Sequence, residues 1–178
     1  MAKMPTSNQI SERITELEEN WNRLQATLKD IFNRTDWTGR ATINDLVNQL
    51  RYFVPRADAL KIAARIEELN SLSHIEGDEQ SPMSTLSLQN FISFISQELR
   101  LTSPGIALSY NGNIRAEWRK SRRQHFAVEF LPTGRVQFVV FAPDSTNPKS
   151  VDRFSGTSSA QILMSKVHSL GVGDWAFG

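Results

Sequence analysis

Six cations gather in or near one short stretch of the chain: Arg115, Arg119, Lys120, Arg122 and Arg123, with Arg135 further on. Such a density of guanidinium and ammonium groups suits phosphates or an acidic protein surface, and the neighbouring Trp118 and His125 are residue types that stack on bases. Glu117 and Glu129 offer a second chemistry, a carboxylate pair for acid/base work. Arginines flank both, and no pocket or perturbing environment is apparent, so ordinary salt bridges are the stronger reading. His74, His125 and His168 fall in a loop, a strand and a helix, without metal-ligand spacing. The chain has no cysteine, which excludes disulfides, thiolate zinc sites and cysteine nucleophiles. Gly171-Val172-Gly173 follows a helix instead of preceding one, and Ser155-Gly156-Thr157-Ser158-Ser159 reads as a loop with helix caps, not as a nucleophile elbow. We therefore expect no metal, no cofactor and no enzymatic activity.

The elements that must position these residues divide at Pro104. Its 178 residues carry a net charge of +1, with 39% hydrophobic residues, as expected of a soluble globular protein. There are 11 basic and 14 acidic residues before Pro104, and 9 and 5 from it onward, giving nets of −3 and +4. No apolar run has membrane-spanning length and the N-terminus lacks a secretory signal, so a cytoplasmic protein is expected.

Residues 1–103 read as a helical lobe. Ile10, Ile14, Leu17, Trp21, Leu24, Leu28 and Ile31 keep a strict 4-3 spacing, predicting a heptad helix over 8–33 that packs either within the chain or against a second copy as a homodimer. Further helices are predicted over about 43–54, 57–71 and 85–100. The second begins at Thr42 and ends before Pro55. The third carries Leu60, Ala63, Ile66 and Leu69, and the fourth aligns Leu88, Phe91, Ile92, Ile95 and Leu99. A polar connector with Glu76, Gly77 and Asp78 separates the last two.

Residues 104–178 change period from 3.6 to 2. Ile106, Leu108 and Tyr110 alternate, as do Ile114, Ala116 and Trp118, then Phe126, Val128 and Phe130, then Val136, Phe138 and Val140. These segments predict a four-stranded antiparallel meander backed by a C-terminal helix from near Ser158, and hence an α+β fold. Pro132-Thr133-Gly134 suits a three-residue hairpin loop that pairs Phe130 with Val136 and Val128 with Phe138. Tyr110-Asn111-Gly112 makes an equivalent first turn with Leu108 opposite Ile114, although Asn111-Gly112-Asn113 also keeps the faces aligned. Trp118 facing Phe126 would bury the indole and set Arg115 opposite Glu129 as a cross-strand ion pair. Val139 and Phe141 then point away from the core, and Trp175 and Phe177 lie near the end of the chain. These four are the candidate partner-binding residues, since aromatic side chains anchor interfaces.

Three pieces carry a resemblance: Asn111-Gly112-Asn113-Ile114-Arg115-Ala116-Glu117-Trp118, then Val128 through Phe138, then Arg153 before Gly156 and a closing helix. In these, residues 105–171 resemble a family of small bacterial antitoxin-like or accessory proteins encoded in two-gene loci. The resemblance implies a non-enzymatic protein that binds a toxin or other effector and masks it. It carries over no catalytic residue. This sequence departs from the family in its basic turn, Arg119 to Arg123, and in its long helical N-terminal half. The competing expectation, resting on that turn, is a nucleic-acid-binding accessory protein.

Overall fold

The computed structural model describes residues 41–73, 81–144, 150–167 and 169–177. The heptad helix and its homodimer seam, His74, His168 and most of the polar connector lie outside these residues. The described residues belong to one compact unit, Ala41–Gly178, of α+β class. None of their helices is long and apolar enough to cross a membrane.

Among the described residues three helices come first: α1 (Ile43–Phe53), α2 (Ala59–Leu72) and α3 (Thr85–Gln97). Thr42 caps α1 in a reciprocal capping box with Asp45, and the helix ends at Val54, where Pro55 disfavours another helical residue. Arg56 turns the chain into α2. Its guanidinium forks onto Asp58 at 2.9 and 3.0 Å and also donates to the carbonyls of Glu98 and Leu101. That side chain is almost wholly buried, and it ties the α1–α2 corner to the far end of α3. Two apolar assignments change. Leu60 is 64% exposed because α2 turns Ala59, Ile62, Ala63, Ile66 and Leu69 inward, and Leu99 is 49% exposed because α3 stops at Gln97.

The sheet has five antiparallel strands in sequence order, where the sequence predicted four: β1 (Gly105–Leu108), β2 (Ile114–Ser121), β3 (Gln124–Phe130), β4 (Arg135–Pro143) and β5 (Val151–Ser159). The added strand occupies the segment read as a loop with caps. It pairs with β4 along its whole length, from Arg135 opposite Ser159 to Pro143 opposite Val151. Elsewhere the expected pairing is observed: Phe130 with Val136, Val128 with Phe138, Trp118 with Phe126, and Leu108 with Ile114. The β1–β2 and β3–β4 loops repeat one hydrogen-bond pattern. Leu131 N–H donates to Arg135 O and Gly134 N–H to Leu131 O, as Ser109 does to Asn113 and Gly112 to Ser109. Both glycines hold positive φ, 79° and 74°.

Two short helices close the chain, α4 (Ala160–Lys166), capped by Ser159, and α5 (Gly173–Ala176). Helices and sheet share one core across Pro104, so the change of period there marks a change of layer. Its centre is a run of touching rings: Phe91 and Phe94 against Phe130, Phe94 against Trp118, and Trp118 stacked on Phe126 at 5.2 Å. Buried rings of this size each contribute roughly 1.5–3 kcal/mol. Trp118 also donates its indole N–H to Thr102 O at 2.8 Å, which satisfies its polar end.

Candidate functional site on the outer sheet face

Strand alternation sends Val136, Val140 and Ala142 of β4 into the core and Val139 and Phe141 to the opposite face. Both residues are half-buried and stand apart from the core that helices and sheet share. The pairing fixes their neighbours. Arg119 lies opposite His125, His125 opposite Phe141, and Phe141 opposite Arg153, so four strands place cation, imidazole, phenyl ring and cation in one transverse row. The rings of His125 and Phe141 are parallel to within 5° at 6.1 Å, and the Arg153 guanidinium carbon stands 5.8 Å from the Phe141 ring centre. Beside this row run Glu117, Ala127, Val139 and Ser155.

His125 is only 9% exposed, and its Nε2 makes no hydrogen bond although Glu117 Oε2 is 3.4 Å away. Burial pushes its pKa below the ordinary value; the Glu117 carboxylate acts against this, and the Arg119 and Arg115 charges reinforce it. Glu117 is itself held by Arg115, 2.8 Å from its other oxygen. Glu129 faces Arg115 in the pairing, but the expected cross-strand ion pair gives way to that contact. Glu129 instead accepts from Asn113 Nδ2 at 2.9 Å. Each carboxylate thus has its own partner, and the two form no joint acid/base pair.

The basic residues separate into two groups. Arg119, Lys120, Arg122 and Arg123 are exposed at the β2–β3 hairpin, where the pairing slips between Arg119 and Ser121 and leaves Lys120 as the bulged residue. Arg115 and Arg135 sit toward the other end. Six residues along β4 separate Arg135 from Phe141, roughly 20 Å at strand rise. Arg135 donates to Thr157 O there. Arg153, which was not among the six cations, stands over the Phe141 ring in the row that ends at Arg119. That cation was missed because its strand was missed, whereas the His125–Phe141 pair was already implied by the Pro132-Thr133-Gly134 turn.

The tail folds back onto its own chain. Ala176 O accepts from both the N–H and the hydroxyl of Thr102, Phe177 bridges to Leu101, and the Arg100 guanidinium stands over the Phe177 ring. Trp175 donates its indole N–H to Gly171 O. Both aromatics are half-buried against the core, whereas Val139 and Phe141 point to the opposite face of the sheet. Among the described residues no group of three His, Cys, Asp or Glu is placed to hold a metal ion. Comparison with protein-family models, curated proteins and solved structures finds no match to this chain.

Proposed function

We propose that this chain is a non-enzymatic binding protein that masks another bacterial protein inside the cell, in the manner of an antitoxin-like or immunity-like partner. It meets that protein with the outer face of its sheet. The observation that carries this reading is the transverse row Arg119–His125–Phe141–Arg153 beside Val139. Arginine and aromatic side chains are the usual anchors of protein interfaces. Here they stand on strands of a packed sheet, so little side-chain freedom is lost on binding. The exposed hairpin cations at one end of the row would speed the approach of an acidic partner.

The test is capture from the host with the purified chain as bait, washed at low and at high salt, alongside a Val139→Ser/Phe141→Ala double variant checked for folding by circular dichroism. The expected result is one stoichiometric protein that survives high salt with the wild-type bait and is lost with the variant. Equal capture by both baits would remove the outer face from the account.

A second reading is favoured by one observation, the exposure of Arg119, Lys120 and Arg122 together at a hairpin tip that contains no acidic residue. It makes the chain a nucleic-acid-binding accessory protein. Affinity for RNA or DNA should then fall steeply with salt, and Arg119→Gln with Arg122→Gln should lower the log–log slope by roughly 1.4–1.8, at about 0.7–0.9 per phosphate contact. Absent or salt-independent binding ends this reading.

A further inference from the structure

The two edges of the sheet are finished differently. β1 is four residues long, α2 packs beside it, and Arg65 donates to the carbonyl of Ile106 at 3.2 Å. β5 is nine residues long and carries neither proline nor lysine, its residues 152–157 are all exposed, and no described strand lies beyond it. A long edge whose charges, Asp152 and Arg153, are confined to one end presents a row of backbone donors and acceptors to a strand that fits. We propose that β5 pairs antiparallel with β5 of a second copy, across a twofold axis through Ser155, joining two five-stranded sheets into one continuous sheet.

The argument for a second copy lies in the strand's complementarity to itself. A twofold axis pairs each residue with one at a constant sum of numbers, and side-chain alternation requires that sum to be even. An axis at Asp152 or Arg153 would oppose like charges, which is unfavourable. An axis at Ser155 is the only one that pairs all nine residues, Val151 against Ser159 through Ser155 against itself. It sets Arg153 opposite Thr157 and Asp152 opposite Ser158, with no like charges face to face. It also sets Phe154 opposite Gly156. Phe154 is 39% exposed, a large apolar side chain on a strand that is polar but for it and Val151. Gly156 already lies against the ring of Phe138 within its own chain, where a Cβ would approach to 3.4 Å, and it leaves room for a second ring from the other side. Ile162, on the first turn of α4 directly after β5, is a further exposed apolar residue at this edge. The contact is small, below the roughly 1,200 Å² of a standard interface, so a reversible, concentration-dependent dimer is expected.

Because the chain has no cysteine, the register can be tested position by position. Sedimentation of the full chain from low-micromolar to millimolar concentration should show its mean mass approach twice the monomer's. Ser155→Lys and Ser155→Glu, each at an exposed position, should both remain monomeric, and an equimolar mixture of the two should recover the dimer. Ser155→Cys should crosslink to a dimer on mild oxidation, whereas Asp152→Cys, which faces Ser158, should not. A wild-type chain that stays monomeric throughout, or a dimer that survives Ser155→Lys, would overturn the proposal. So would a Ser155→Cys chain that stays uncrosslinked under conditions where the dimer is populated.

Discussion

Replacing Ser87 by alanine removes one buried oxygen at the junction of helix and sheet. Ser87 Oγ accepts from the N–H of Ile114 at 2.7 Å and donates to the carbonyl of Phe130. Those two backbone groups stand one step beyond the last β2–β3 pair, Arg115 with Glu129, so the hydroxyl fills the gap in the ladder where the strands part. Ser87, Ile114 and Phe130 are all fully buried. Alanine would leave a buried donor and a buried acceptor without partners, at roughly 1–3 kcal/mol each. Partial closure of the strands offsets some of that, so a net loss of about 2–4 kcal/mol is expected. At roughly 2–4 °C per kcal/mol for a protein of this size, the melting midpoint should fall by about 5–15 °C. Urea unfolding followed by circular dichroism measures it directly, with Ser93→Ala, an exposed serine on the same helix, as the neutral reference. An unchanged m-value with a loss under about 0.5 kcal/mol would show that the strands pair without the hydroxyl, and the bridging role would be wrong.

Two further perturbations follow from local geometry. Gly112 and Gly134 both hold positive φ, but a Cβ on Gly112 would lie 2.0 Å from Pro82 O while one on Gly134 meets nothing within 4 Å. Gly134→Ala should therefore lose only the conformational cost, about 1–2 kcal/mol, and Gly112→Ala clearly more; equal losses by urea titration would show that the β1–β2 turn is not held against residues 81–84. The lowered pKa of His125 means that the unfolded chain takes up that proton first. Its stabilising contribution is therefore complete above the ordinary value near 6.5 and is lost as pH falls from there through the folded-state pKa, at up to about 1.4 kcal/mol per pH unit. His125→Asn should flatten that part of the stability profile, and Glu117→Gln, which removes the charge acting against the depression, should lower the His125 pKa further in an NMR titration. A rise on Glu117→Gln would show that the carboxylate does not stabilise the imidazolium.

How much of this was legible in the sequence depended on which residues were asked to report. Pro132-Thr133-Gly134 fixes a loop length, the loop length fixes the pairing of β3 with β4, and the pairing sets His125 beside Phe141. Each step is local and each side chain sits on a half-buried strand, so alternation carries the information. The helix faces were less well determined, because Leu60 and Leu99 have the right hydrophobicity and only packing decides that Ile62 and Ala59 turn inward instead. Arg56 gave no signal, since two of its four acceptors, the carbonyls of Glu98 and Leu101, lie 42 and 45 residues further along the chain. β5 was hidden for a more instructive reason. Apart from Val151 and Phe154 it is polar, because it is an edge strand whose pairing rests on backbone bonds to β4 and owes little to burial. A pattern search keyed to hydrophobic alternation does not see such a strand. No described strand pairs with its outer edge, and the same strand delivers Arg153 to the Phe141 ring. The least legible element of the fold therefore supplies one end of the proposed partner surface and the whole of the proposed dimer edge.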